Sequence, residues 1–272
     1  MLNGNQLNAV EVIHGVVDGQ PWERIIHLTG APAEILRRGE RVSCLHRESS
    51  KHFHASSSRL QALLKHQDFT VPVNYILRKG GDGRVAGREA YRVDVLPKDK
   101  ARYGYQFWLD KASGLLLKSV TVDRKGRGLE VFEFVSIDIR DAIDPAVFNP
   151  GEGLHWADKP QTELEAPVPQ LNWKLSWLPT GFDLSGSEMR VVDGVAASTK
   201  VFTDGLAAFS VFLEKIDSRI HTEGTQTHGA TTALSRRLPV KNGEYLVTVV
   251  GEIPMETAMQ VAMAVRLAGD VR

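Results

Sequence analysis

One cysteine and three histidines near the amino end could hold a metal ion. The segment CLHRESSKHFH contains Cys44, His46, His52 and His54, and thiolate and imidazole groups are preferred ligands of zinc. No second ligand pair with zinc-site spacing accompanies them, and histidines in strands commonly face solvent. We therefore expect no metal site.

Motifs for catalysis and for nucleotide binding are absent from the sequence. The chain has no G-x-S-x-G, no phosphate-binding G-x-x-x-x-G-K-[ST] loop and no G-x-G-x-x-G that opens a helix. A Ser-His-Asp set could be assembled from scattered residues in most chains of this size, so no serine is indicated as a nucleophile. The sequence therefore predicts a protein that is not an enzyme and that needs no cofactor.

Aromatic side chains are the residues best suited to bind a ligand, in this case an apolar one. In RYGYQFWLDKASGLLLKSVT, alternation places Trp108 on the face opposite to Phe107, and a following strand carries two more aromatics. An antiparallel sheet needs only one apolar face, so something must cover the second. The cover could be a short helix, another domain, a second copy of the protein or a lipid. The lipid hypothesis concerns six residues, of which we expect one face's set to line a hollow: Tyr103, Tyr105, Phe107, Trp108, Phe132 and Phe134.

Most of the first half of the chain alternates with period two, which predicts an antiparallel meander whose last strand runs to Ile139. Dipeptides such as Asp18-Gly19 and Asp82-Gly83 suit the turns between its strands. Three serines, Ser56 to Ser58, can start a short helix, which we expect to plug one side of the sheet.

The periodicity stops in NPGEGLHWADKPQTELEAPVPQLN, and its prolines and acids are typical of a linker. We predict a domain over residues 1–149, a linker over 150–172 and a smaller β-rich domain over 173–272. The last domain ends with a helix from Pro254 to Gly269. For Met255, Met259 and Met263 of this helix, core packing is favoured over a methionine-lined surface.

Composition excludes some classes of partner. Lys plus Arg equals Asp plus Glu, at 33 each, so no overall field attracts nucleic acid. The neutral total conceals a basic stretch: residues 78–127 hold thirteen Lys and Arg against six Asp and Glu. Basic hairpins beside aromatic strands suit an amphiphile with an anionic head or an acidic peptide, although a solvated basic rim is the plainer interpretation.

Several blocks in order carry a resemblance to a known family: ERIIHLTGAPAEILR, DKARYGYQFWLDKASGLLLKSV, WLPTGFDLSG, GATTALSRRL and YLVTVVGEIPMETAMQVAMAV. The chain closely resembles the RseB/MucB family of periplasmic regulators of the envelope-stress sigma factor. The resemblance implies a mainly β (α+β) fold: a LolA-like unclosed antiparallel β-barrel, then a smaller β-sheet domain with a carboxy-terminal helix.

The resemblance also implies a function. Family members bind the periplasmic part of a membrane anti-sigma factor, RseA or MucA, shield it from proteolysis and release it in response to a lipid or lipopolysaccharide. It implies a periplasmic location, although no export signal is visible. Because the family carries an amino-terminal helix and strand before the region that Met1 begins, we expect a truncated or misassigned start.

Three hypotheses follow: a regulator that binds an anti-sigma factor and senses lipid, a periplasmic lipid or lipoprotein carrier, and, least favoured, a hydrolase of envelope lipids. The separately patterned second domain favours the regulator. Its partner contacts are expected there, where arginine forks could bind carboxylates and apolar neighbours could supply an anchor. Pairing of the arginines within their own sheet stays open. The candidates are Arg236, Arg237, Phe209 and Tyr245.

Overall fold

The computed structural model describes residues 2–3, 6–30, 32–39, 41–46, 73–151, 155–156, 171–192, 195–216, 223–241 and 243–267. Within these residues the fold is mainly β, as expected, and none of the sheets closes into a barrel. The predicted helix after Ser56 to Ser58 lies outside the described residues, as does most of the predicted linker. The chain forms two compact units, residues 1–69 with 135–161 and residues 70–134 with 162–272. The predicted domain boundaries stay predictions.

The first unit contains an antiparallel sheet in the order β12-β6-β5-β4-β3, here called the amino-terminal sheet. Asp18 and Gly19 form its first turn with φ of 51° and 73°, which confirms the predicted Asp-Gly hairpin. The strands of this unit are β1 (Leu2–Asn3), β2 (Gln6–Leu7), β3 (Val10–Val17), β4 (Gln20–His27), β5 (Ala33–Arg38), β6 (Arg41–His46) and β12 (His155–Trp156).

A 3-10 helix, Pro145–Phe148, packs on this sheet. The side chain of Asp144 caps it by accepting a hydrogen bond from the amide of Ala146, and Phe148 is fully buried edge-on against Trp22. Gly15 permits the close approach of this segment, because a Cβ there would lie 2.5 Å from Cγ2 of Ile143.

The second unit contains a meander in the order β11-β10-β9-β8-β7, here called the meander sheet. Its register shifts between Lys79 and Asp82, which places a bulge in the outermost of these strands. The strands are β7 (Tyr75–Val85), β8 (Arg88–Pro97), β9 (Gly104–Asp110), β10 (Leu116–Val122) and β11 (Gly128–Glu133).

Two expectations for the meander sheet are wrong. Asp82-Gly83 lies inside a strand beside the bulge, and the turn is formed by Ala86 and Gly87, whose φ values of 49° and 76° suit a tight hairpin. The last strand ends at Glu133, because pairing with β10 stops there, and does not continue to Ile139.

The same unit contains a six-stranded antiparallel sheet in the order β14-β15-β16-β19-β18-β17. A pair of short strands lies beside it. The strands are β13 (Trp173–Leu175), β14 (Asp183–Val192), β15 (Val195–Thr203), β16 (Ala208–Ile216), β17 (Gly224–His228), β18 (Thr231–Val240), β19 (Gly243–Gly251) and β20 (Val265–Leu267).

The carboxy-terminal helix α1 (Met255–Ala264) covers one face of the six-stranded sheet. It ends earlier than predicted, because Val265–Leu267 leaves the helix to pair with β13. The expected core packing of all three methionines is also wrong: Met255 packs against the core, but Met259 and Met263 are 46% and 55% exposed. The helix instead buries its small residues Ala258, Val261, Ala262 and Ala264, together with Thr257.

Candidate functional site

One face of the meander sheet gathers most of the aromatic residues proposed for ligand binding. Phe107 lies opposite Ser119, and Ser119 lies opposite Phe132, so the rings of Phe107 and Phe132 belong to the same face. On the other side of β9, Tyr105 and Phe107 lie opposite Val95 and Val93. We call this surface the aromatic face and define it as Tyr75, Leu77, Tyr91, Val93, Val95, Tyr105, Phe107 and Phe132.

The rings on the aromatic face touch one another. Tyr105 and Phe107 are stacked with centroids 5.7 Å apart, and Tyr75 lies 6.1 Å from Tyr105. Phe134, just after β11, meets Phe132 edge-on at 5.0 Å. Tyr75 and Tyr105 are buried, whereas Phe107, Phe132 and Phe134 are only partly buried. Part of the aromatic face is therefore accessible.

Two of the six aromatic candidates lie elsewhere. Trp108 faces the opposite side of the sheet, where its ring lies 5.9 Å from the guanidinium of Arg92 and 5.1 Å from the ammonium of Lys118. Tyr103 precedes β9 and is not a member of the aromatic face. Burial raises the pKa of Tyr103.

A turn of the six-stranded sheet covers one end of the aromatic face. Leu206, between β15 and β16, packs against the buried cluster of Tyr75, Val95 and Tyr105. Beside it, Tyr75 donates a hydrogen bond of 3.0 Å from its hydroxyl to Oδ2 of Asp204. Burial raises the pKa of Tyr75, and the neighbouring Tyr105 and Asp204 raise it further, so the phenol stays a donor.

A buried ion pair lies at the same junction. The side chains of Arg102 and Asp204 are both fully buried, and Arg102 also donates to Asp99 and to the carbonyl of Thr180. Burial alone would lower the pKa of Arg102, but Asp99 and Asp204 outweigh it and raise this pKa. A buried charge of this kind is tolerated only where its hydrogen bonds are satisfied. The pair therefore fixes the turn of the six-stranded sheet against the meander sheet.

Within the part of the chain that the structure describes, nothing covers the other end of the aromatic face. There a depression of about 640 Å³ has an apolar floor that includes Leu77, which is 51% exposed, together with Tyr91 and Val93. Lys79 and Lys111 line its edge, and Lys111 contacts Asp82 at 2.7 Å. A hydrocarbon chain on the floor would thus have cations near its head group.

The residues proposed for partner binding occupy different environments. Phe209 is 1% exposed and packs on Phe202 and Phe182, so it is a core residue here. Arg237 donates to Glu244 at 2.7 Å, which is pairing within its own sheet. Arg236 is partly buried in β18, and Tyr245 packs against the edge of the core in β19. The strand register places Phe209, Arg236 and Tyr245 on the core-facing side of the six-stranded sheet and Arg237 on the other side. Partner binding by these four residues stays a prediction.

The described residues contain no cluster of three metal-ligating side chains. The side chains of Cys44, His46, His52 and His54 lie outside that description. Among the described helices, none is long and apolar enough to cross a membrane.

Comparison with family models identifies the class to which this architecture belongs. Residues 1–151 match the MucB/RseB N-terminal domain, and residues 167–266 match the MucB/RseB C-terminal domain. The chain belongs to the MucB/RseB family.

Curated relatives carry regulatory names. The sigma factor AlgU regulatory protein MucB of Pseudomonas aeruginosa is 34% identical over 94% of this chain and 80% of its own length. The sigma-E factor regulatory protein RseB of Escherichia coli K12 is 26% identical over 96% of this chain and 82% of its own length.

Solved structures show the same fold. A crystal structure of MucB in complex with MucA(peri) matches with a TM-score of 0.78 at 31% identity, over 98% of this chain and 93% of the other. A crystal structure of MucB matches with a TM-score of 0.67 at 31% identity, over 96% of this chain and 87% of the other.

Proposed function

We propose that this protein is a non-catalytic negative regulator of an envelope stress response. In this proposal it binds the periplasmic part of a MucA- or RseA-type anti-sigma factor, protects it from proteolysis and releases it when an amphiphile binds. Family membership supports the regulatory role, and the MucB complex with MucA(peri) supports the choice of partner. The proposed location is periplasmic.

The proposed division of labour assigns amphiphile sensing to residues 1–149 and partner binding to residues 173–272, joined by a linker over 150–172. The observation that carries the sensing role is the aromatic face, which is open beside Leu77, Tyr91 and Val93 and has lysines at its edge. Burying hydrocarbon contributes about 0.8 kcal/mol per methylene. One acyl chain on the apolar floor of the depression would therefore bind with useful affinity.

Neighbouring residues of β9 allow a matched test of amphiphile binding. Phe107→Asp places a charge on the aromatic face, and Trp108→Asp places the same charge on the opposite face between Arg92 and Lys118. Dansyl-undecanoic acid fluorescence should report binding to the wild type and to Trp108→Asp, with binding to Phe107→Asp reduced at least about tenfold. Far-UV circular dichroism checks that both variants are folded. Equal affinity of the two variants would contradict the proposed site.

Partner binding has its own test. Calorimetry with MucA(peri) of Pseudomonas aeruginosa and the full chain should show binding, and saturating dansyl-undecanoic acid should weaken it. Protection is measured by digesting MucA(peri) with a nonspecific protease, with and without the chain.

A lipid or lipoprotein carrier is the second candidate, because the open aromatic face by itself suits cargo as well as a signal. The same calorimetry separates the two functions. A chain that binds the probe tightly but neither binds nor protects MucA(peri) would favour the carrier.

A further inference from the structure

The turn between β15 and β16 occupies a part of the aromatic face that a bound hydrocarbon chain would also occupy. Its residue Leu206 packs against the cluster of Tyr75, Val95 and Tyr105, and Phe107 and Val93 continue the same apolar surface toward the open depression. A hydrocarbon chain that entered over Val93 and advanced along the aromatic face would reach the surface that Leu206 occupies.

The turn is pre-formed, so it presents Leu206 in a fixed position. Oδ1 of Asp204 accepts hydrogen bonds from the amides of Leu206 and Ala207 at 2.9 and 2.7 Å. The hydroxyl of Thr203 donates to the carbonyl of Ala207 at 2.9 Å, and Gly205 supplies a φ of 92°. A leucine held in this way loses little conformational freedom when it packs on the sheet.

One carboxylate joins the turn to the meander sheet. While Oδ1 of Asp204 organises the turn, Oδ2 accepts hydrogen bonds from Tyr75 and from Arg102. Tyr75 is also a member of the aromatic face, so the same side chain contributes to the apolar surface and to the polar attachment. Displacing Leu206 would therefore disturb the hydrogen bonds that hold Asp204.

We infer that Leu206 and an amphiphile exclude each other from the aromatic face, so that ligand binding undocks this turn of the six-stranded sheet. The inference rests on the proposed amphiphile site and adds its regulation. An amphiphile that binds to the meander sheet would thus move a turn of the six-stranded sheet. The turn acts as an internal ligand that the signal must displace.

Shortening the side chain of Leu206 should improve the binding of an added amphiphile. Leu206→Ala is expected to raise the affinity for dansyl-undecanoic acid by roughly three- to tenfold, because less apolar contact has to be displaced. Leu184→Ala is the matched control: Leu184 lies in β14 of the same sheet, is 53% exposed and should leave the affinity unchanged. Tyr75→Phe, which keeps the ring and removes the hydrogen bond to Asp204, should raise the affinity by a smaller factor.

Hydrogen exchange of the wild-type protein gives an independent readout. Saturating probe should accelerate exchange at the amides of Leu206 and Ala207, whose acceptor is Oδ1 of Asp204. An unchanged affinity of Leu206→Ala, or unchanged or slower exchange at these two amides with bound probe, would overturn the inference while leaving the amphiphile site in place. If neither the wild type nor Leu206→Ala binds the probe, the proposed amphiphile site is wrong and the inference is wrong with it.

Discussion

The meander sheet and the six-stranded sheet belong to the same compact unit, but their apolar faces are covered in different ways. The six-stranded sheet shares a continuous buried core with α1, in which Val211, Leu213 and Val249 have no exposed surface. Among the described residues, the buried cluster on the aromatic face consists of Tyr75, Val95 and Tyr105, and Leu206 from the other sheet packs against it. The six-stranded sheet is covered by α1, which follows it in the chain. The meander sheet is covered at one end by Leu206, which is distant from it in sequence.

The connections explain this difference. Strand β19 ends at Gly251, and α1 begins at Met255, so a short link returns the chain across the sheet as a helix. The strands of the meander sheet follow one another through turns, such as the one at Ala86 and Gly87, and residues 73–134 contain no helix. Among the described residues, a helix covers the six-stranded sheet, whereas the aromatic face is covered only at the end where Leu206 lies.

The largest expected effect on the free energy of unfolding comes from a phenylalanine in the core, compared with one on the aromatic face. Phe209→Ala should lower the free energy of unfolding by about 3 to 5 kcal/mol, because it leaves a cavity where the ring of Phe209 stacks on Phe202 and meets Phe182 at a tilt. Phe107→Ala, on the partly open aromatic face, should cost about 1 to 2 kcal/mol. Urea unfolding followed by circular dichroism measures both. Equal losses would show that the aromatic face is as well covered as the core.

Removing the junction between the two sheets should have the next largest effect. Asp204→Ala leaves the buried Arg102 with Asp99 as its carboxylate partner and should lower the free energy of unfolding by about 3 kcal/mol. Asp138→Ala is the control, because Asp138 pairs with Arg140 at the surface and should cost less than about 1 kcal/mol. A similar cost for both variants would mean that the buried pair contributes little.

Acid sensitivity should arise on the other face of the meander sheet. Hydrogen bonds from Arg88 and then Ser113 hold the pKa of Asp110 well below its ordinary value of 3.8. The unfolded chain then binds a proton before the folded chain does, so stability falls as the pH drops below about 4. Asp110→Asn should flatten this dependence in urea unfolding measured between about pH 5 and pH 2. A slope equal to that of the wild type would contradict this role of Asp110.

The smallest effect is expected on the outer surface of α1. Met259→Ser and Met263→Ser should each change the free energy of unfolding by less than about 0.5 kcal/mol, because both side chains are exposed. Val261→Ser on the buried side should cost several times more. A large loss in either methionine variant would show that the outer surface of α1 is covered in solution.

The sequence predicted the parts of the fold that depend on local pattern. Alternation located most strands, and it correctly separated Trp108 from Tyr105 and Phe107, because the side-chain period of a strand is a local property. That Phe107 and Phe132 share a face required the register through Ser119, which alternation in separate segments does not specify. The early end of α1 was missed because pairing of Val265–Leu267 with β13 overrides the helical pattern.

The junction at Asp204 could not have been predicted from local pattern. Its one signal is the Asp-Gly pair at Asp204 and Gly205, which indicates a turn but no distant partner. Arg102 looked like one more base in a basic stretch, although its side chain is fully buried in the ion pair with Asp204. Phe209 shows the converse: an aromatic residue beside a strand end looks equally suitable for an interface and for a core, and only packing decides between them.

The bulge in β7 affects how readily this edge of the sheet could pair with another molecule. Among the described strands β7 lies at the edge of its sheet, and it exposes Ile76 and Leu77, each 51% accessible. Such an edge could recruit a strand from another molecule and begin aggregation. The shift in register after Lys79 interrupts the regular ladder, and the charges of Arg78 and Lys79 oppose a second copy of the same edge. The irregular strand thus makes this apolar edge a poorer template for intermolecular β-sheet.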